Sequence, residues 1–292
     1  MVELLVSMTI IVILIGVLLP SLTMIRTKAK ETAQRARQTS IETALEAFKN
    51  DYGDYPASWI TLGGPVTPPY VTYVGAQRLV EALVGWDLRG FHPKTAWRAD
   101  GFDSTGGSFS YDPCNARLGA SLNERKGLYL ELANVGVFRI SQLFPNAPAP
   151  PAAPASYPFV FTDVFGARKI TAAIGKSEFA GTPILYYKAN PANKTIDTSI
   201  APELRTYNVL DNASLLELGA VTRDGSVGAG HPIRGGSGPQ NFNLFYEFDY
   251  KGGIRNSKIP GPIPCAHRPD SYILISAGAD GLYGTRDDIR NY

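Results

Sequence analysis

Twenty-two consecutive residues near the start of this chain, Leu4 to Ile25, carry no charged side chain, and a glutamate, Glu3, stands directly before them. As an α-helix the run is about 33 Å long, against about 30 Å for the hydrocarbon core of a bilayer. A helix that is apolar all round must be buried, in lipid or in an assembly. No Lys or Arg precedes the run, and no small-residue cleavage signature separates it from the basic segment after Ile25. Residues 1–25 are therefore expected to be a retained membrane helix, not a removable signal peptide.

The basic residues all come after it: Arg26, Lys28, Lys30, Arg35 and Arg37, interleaved with Glu31 and Glu42. Taken alone, the positive-inside tendency would put this side in the cytoplasm. Pro20 lacks an N–H, so the carbonyl of Gly16 loses its helical partner. A kink or local melting is expected over Gly16–Pro20, with a tolerated bend in an ordinary anchor as the alternative. Beyond Arg26 the pattern stays helical. Ile25, Ala29, Ala33, Ala36, Ala44, Leu45 and Phe48 recur mostly at steps of three and four, until Asn50-Asp-Tyr-Gly-Asp-Tyr-Pro56 stops them. One helix of about 50 residues, roughly 75 Å, is predicted: a membrane half over 1–25 and an amphipathic half over 26–52 that leads into a globular part, 53–292.

The carboxylate before an apolar helix, the proline 17 residues on and the amphipathic continuation resemble the N-terminal helix of type IV pilin-like proteins. The segment ALEAFKNDYGDYPAS is similar to the helix end and following turn of the major pseudopilin of type II secretion. DVFG at 163–166 and PILYYKA at 183–189 resemble that group's strand region, and SAGADGLYGTRDDI at 276–289 its calcium loop. The resemblance implies a long N-terminal helix packed on an antiparallel sheet, an α+β fold with long loop insertions. It implies a subunit held in the inner (cytoplasmic) membrane by one pass, matured by a prepilin peptidase with methylation of the new N-terminus, and assembled by dedicated machinery into a periplasmic or extracellular homopolymer. A basic leader lost on processing would account for the orientation. Glu3 is third here, where the family's glutamate is fifth in the mature chain. The resemblance does not extend to most of residues 60–160 and 190–270.

Glu3, Gly16 and Pro20 are the expected assembly residues. A lone carboxylate in lipid costs about 2.5–3.5 kcal/mol at a helix centre and less near an end. At the interface it faces the positive end of the helix dipole and needs no partner. The resemblance implies a second role, pairing with the N-terminal amine of a neighbouring subunit, where a desolvated opposite charge makes the pair worthwhile and either member alone costly. In the tail, Asp280, Asp287 and Asp288 supply hard oxygen ligands suited to Ca²⁺. The resemblance matches Asp280 and Asp288 best, with backbone carbonyls of Ala277 and Leu282 completing the shell. Neutralisation of the aspartates by Arg286, or a solvated Asp/Gly hairpin, are the alternatives.

In the globular part, Leu79 to Val84 predicts a short helix ended by Gly85. A further helix is expected from Leu128–Val135 into FRISQLF. Strands are expected in PFVFTDVFG, TPILYYKAN, FNLFYEFDY (242–250) and SYILISAG (271–278). PNAPAPPAAPASYP (145–158) favours extended polyproline conformation, and 98–112 and 224–240 read as Asp/Gly and Gly-rich loops. Asp100 and Asp103 are a weak cation candidate beside a plain turn. Cys114 and Cys265, if exported, either form one disulfide worth about 4–5 kcal/mol by chain entropy or stay as two thiols. Asn193 and Asn212 head glycosylation sequons. His92, His231 and His267 lack metal-ligand spacing, and the Gly-rich stretch around His231 lacks the Lys-Ser/Thr of a phosphate loop. A net charge of +2 over 292 residues argues against nucleic acid as a main partner. No enzyme motif stands out. The expected role is a filament subunit, pseudopilus or surface pilus. The competing class is a membrane-anchored extracytoplasmic enzyme or binding module.

Overall fold

The computed structural model describes residues 2–58, 73–99, 101, 110–111, 121–146, 159–166, 168–173, 175–234, 243–259 and 264–292, and leaves the side chains at 17–21, 23 and 234 outside that description. The Asp100/Asp103 candidate, Cys114, the polyproline stretch over 147–158, the Pro20 side chain and the 235–240 part of the Gly-rich loop therefore lie outside the described residues.

Helix α1 runs from Val2 to Tyr52, 51 residues. Its path is helical through Gly16–Pro20, so the local melting expected there does not occur. One lost i→i−4 bond is spread over a long helix, and Gly16 has no heavy atom within 4 Å of where a Cβ would sit. The outer half carries its apolar side chains in the open: Leu5 is 67 % exposed and Ile15 49 %. From Gln34 onward one stripe is buried, Gln34, Gln38, Ile41, Leu45 and Phe48, at alternating steps of four and three, which keeps one face toward a neighbour. Gly53, at φ 83°, ends the helix and donates its N–H to Lys49 O at 2.7 Å, a left-handed cap that glycine adopts without strain. Among the described residues no helix is long and apolar enough to cross a membrane.

Helix α2, Gly75–Val84, begins a turn before the predicted segment and ends at Gly85 as expected. All ten of its residues are buried. Three short helices follow, α3 (Ser121–Glu124), α4 (Ile140–Leu143) and α5 (Ala213–Glu217).

The strands form small antiparallel sheets. β1 (Gly136–Arg139) pairs with β2 (Phe159–Thr162). β3 (Arg168–Thr171) pairs with β4 (Ser177–Ala180). β5 (Leu185–Lys188), β6 (Tyr272–Ser276) and β7 (Ile289–Arg290) form a three-stranded sheet in that order. A bridge from Thr162 to Pro183, with Ile184 N–H donating to Phe161 O at 2.8 Å, carries the pairing from β2 toward β5. The central sheet is buried on both faces. Tyr186, Tyr272 and Leu274 pack with Ile41, Leu45, Phe48, Leu79 and Leu83 of the two helices. The alternate residues Leu185, Tyr187, Ile273 and Ile275 face a second core with Phe138, Tyr207 and Phe245. This is an α+β fold with a long N-terminal helix.

Two predicted elements are corrected. The helix expected from Leu128 into FRISQLF is a 3₁₀ turn at Leu132–Asn134, then strand β1, then the one-turn α4. Register against β2 buries Gly136, Val137 and Phe138 together, burial that helical spacing would not give. The strand expected at 242–250 is two 3₁₀ turns, Asn243–Tyr246 and Asp249–Lys251. Consecutive Phe245 and Tyr246 are both buried on the same side, which an alternating strand cannot do.

Candidate functional site: the aspartate loop between β6 and β7

Strand β6 delivers the chain into a twelve-residue loop, 277–288, and β7 returns it with Ile275 opposite Arg290 and Ser276 opposite Ile289. The bend starts at Gly278, φ 67°, where a Cβ would lie 2.3 Å from the carbonyl oxygen of Asp287. Only glycine allows the two limbs of the loop to touch there.

That contact brings Asp280 and Asp287 together. The Asp287 carboxylate accepts the N–H of Asp280 at 3.0 Å and the Thr285 hydroxyl at 2.5 Å. Asp280 in turn accepts the N–H of Leu282 at 2.8 Å. Burial raises the Asp280 pKa, the Leu282 N–H works against it, and the neighbouring Asp287 charge adds to the rise. For Asp287, burial is outweighed by the Thr285 hydroxyl and the Asp280 N–H, and its pKa is lowered. Two carboxylates side by side thus compete for one positive charge.

Asp288 does not join them. Asp287 lies in the turn that closes the loop and faces solvent, whereas Asp288, at the entry to β7, is turned inward and 9 % exposed. One oxygen accepts the N–H of Gly284 at 2.9 Å; the other is buried with no hydrogen-bond partner. Burial pushes the group up to about 7. No group of three or more His, Cys, Asp or Glu side chains is placed to hold a metal among the described residues. Ala277 is fully buried at the loop entrance, and the Leu282 carbonyl accepts the Thr285 hydroxyl at 3.2 Å. Arg286 is exposed and, among the described residues, forms no ion pair with the aspartates.

The loop is tied to α1 by polar side chains that the sequence pattern did not single out. Gln38 donates to Ile289 O at 2.8 Å. Glu42 accepts from Arg268 at 2.6 Å and from Asn291 at 2.9 Å. On the other side of β6, buried Asp163 accepts the N–H of Phe165 (3.1 Å) and of Thr182 (3.2 Å) and the hydroxyl of Ser276 (3.3 Å), the last residue before the loop. Burial drives Asp163 up to about 7, partly offset by these donors and by the Arg37 charge. Arg37 donates to Thr162 O at 2.6 Å, and Gln34 accepts the N–H of Val164 at 3.1 Å. The signal for these contacts was present as polar residues interrupting the buried face of an amphipathic helix. No protein-family model, curated protein or solved structure matches this chain.

The remaining predicted positions are dispersed. Glu3 lies in the exposed first turn of α1. Cys265 sits in a β-bridge with Thr195. Asn212 is fully buried, donating to Tyr186 O at 2.8 Å and accepting the N–H of Ala76 at 2.9 Å, which closes that sequon to glycosylation. His231 is buried against Tyr283, and burial drives it down to about 4. His267 pairs with Asp249 at 2.9 Å.

Proposed function

We propose that this chain is a structural subunit of a type IV pilin-like filament, a pseudopilus or a surface pilus, with a pilin-like fold. The observation that carries the reading is α1. Its inner half is bound into the globular core, and its outer half holds apolar side chains that stand exposed among the described residues. Such a surface needs lipid or other copies of itself. The hydroxyls described in that half make no outside demand: Ser7 donates to Glu3 O at 2.7 Å and Thr9 to Leu5 O at 2.8 Å. In an apolar surrounding every polar group must be satisfied internally, and these two hydroxyls are.

On this reading, the helix resides in the inner membrane and then moves into the core of a helical homopolymer, where Glu3 fixes register by pairing with a neighbour's N-terminal amine. Gln34, Arg37, Gln38 and Glu42 hold the globular domain to the spine. The aspartate pair fits a hard cation: Asp280 and Asp287 are adjacent, form no ion pair with an arginine among the described residues, and are linked through the Thr285 hydroxyl to the carbonyl of Leu282. Asp288, turned inward, stands apart from that pair. Bound Ca²⁺ would supply the positive charge that the two carboxylates share and would stiffen the loop.

The test is electron microscopy of sheared cell surfaces and of the purified intact protein. Ordered filaments are expected. Glu3→Leu is expected to leave membrane fractionation unchanged and to abolish filaments. Unchanged filament yield in that variant rejects the register role, and a protein that never forms an ordered multimer in its host rejects the whole reading.

A further inference from the structure

On a face formed by the 198–210 segment and the Asn243–Tyr246 turn, away from the aspartate loop, lies a cavity of about 180 Å³ lined by Thr198, Pro202, Arg205, Leu210, Asn243 and Tyr246. Arg205 is its unusual member, only 8 % exposed. Three hydrogen bonds hold its guanidinium in place: Nε to Ile200 O (3.1 Å), Nη2 to Ile200 O (2.6 Å) and Nη2 to Thr198 O (2.9 Å). The group also lies over the Tyr246 ring, 4.4 Å from its centroid. That ring is itself fixed, its hydroxyl donating to Tyr207 O at 3.0 Å and accepting the N–H of Val209 at 3.1 Å.

These contacts orient the cation without neutralising it. Among the described residues no carboxylate lies within ion-pair distance of Arg205. Asp197 senses its charge, but Asp197 is solvent-exposed and occupied with the Ser199 N–H at 2.8 Å. A buried charge without a counter-charge is costly, and the three bonds to backbone carbonyls use Nε and Nη2 only. A preformed guanidinium is suited to partners that offer two oxygens side by side, a carboxylate or a phosphate, and the apolar walls of the space favour the one that carries an aliphatic stem. The space is smaller than the usual 300–1,000 Å³ of drug-sized ligand sites, and Pro202, Val209 and Leu210 give it apolar walls. Thr198 and Asn243 add polar groups.

We propose that this cavity binds a carboxylate on a short aliphatic stem, with Arg205 as its anchor. The same chemistry is offered by a free short-chain acid and by a glutamate side chain of a bound peptide. The site is independent of the filament reading and fails or stands without it.

The test is a titration of the full chain in detergent, followed by calorimetry, with three probes: propionate, inorganic phosphate, and a glutamate-containing peptide with both ends blocked. Saturable propionate binding is expected, with phosphate at least about tenfold weaker, because the oxygens it turns away from the guanidinium would meet the apolar walls of Pro202, Val209 and Leu210 without hydrogen bonds. A peptide that binds more tightly than propionate identifies a protein partner as the source, and equal or weaker binding identifies a free acid. Arg205→Lys keeps the charge but loses the fork, and is expected to weaken propionate binding at least about tenfold. Asn243→Asp leaves the buried residues untouched and sets a negative charge at the rim, with a loss of similar size expected. Thermal unfolding of both variants checks that the fold is intact. Absence of saturable binding to the wild type, phosphate binding as tightly as propionate, or wild-type affinity in Asn243→Asp would each overturn the proposal.

Discussion

Addition of calcium should raise the unfolding temperature of the globular part, and the size of the effect follows from the aspartate loop. Two carboxylates, Asp280 and Asp287, stand side by side without a basic partner. A site of two side-chain carboxylates plus carbonyls belongs with the weaker calcium modules, for which Kd is about 10⁻⁴–10⁻³ M. At about 10 mM calcium the free ion is then roughly 10 to 100 times Kd, and binding to the folded state alone contributes about 1.4–2.7 kcal/mol. For a unit of this size each kcal/mol moves Tm by about 2–4 °C, so a rise of roughly 3–10 °C is expected. The assay is differential scanning calorimetry after EDTA treatment, with calcium restored and magnesium at equal ionic strength as the control. Magnesium should do much less, because it demands tight octahedral geometry and sheds water reluctantly. Asp280→Asn removes one ligand and the like-charge repulsion together. It should raise the Tm of the calcium-free protein slightly and erase most of the calcium response. A wild-type Tm that ignores calcium, or an Asp280→Asn variant with a full response, would refute the reasoning.

Leu45→Ala removes a fully buried side chain at the meeting of α1, α2 and the central sheet, and should cost about 2–5 kcal/mol in urea unfolding. Asp211 is buried, accepts the Ser58 hydroxyl at 2.6 Å, and is raised by burial to about 7. Its folded pKa exceeds its unfolded one, so its contribution is fully present below about pH 4 and is lost as pH rises through about 7. Asp211→Asn should therefore reduce the loss of Tm between pH 5 and pH 8, read by calorimetry at the two values; an unchanged difference would count against a buried neutral carboxyl. For α1, Glu3→Leu should separate membrane fractionation from filament formation, as judged by electron microscopy.

The sequence alone determined the long helix, because helical periodicity and stop signals are local. The three- and four-residue steps run to Asn50, and the observed helix ends at Tyr52. Local signals also placed α2 with its Gly85 stop, the strands β2, β5 and β6, and the tail loop, where glycines and aspartates are dense. What tertiary structure decided was everything that depends on partners distant in the chain. The segment 136–139 became a strand because Phe159–Thr162 lies beside it, and FNLFYEFDY became turns because Phe245 and Tyr246 fill the same core. The β3–β4 hairpin was missed, since its half-exposed, charged strands carry little hydrophobic pattern. The split of the tail aspartates, Asp287 outward and Asp288 inward, follows from where the turn ends and from the pairing of β7 with β6. The burial of Arg205 without an acid beside it depends on the Tyr246 ring, 41 residues on in the sequence. Spacing along a chain reports which face a residue shares with its neighbours; only packing reports which charge it meets there.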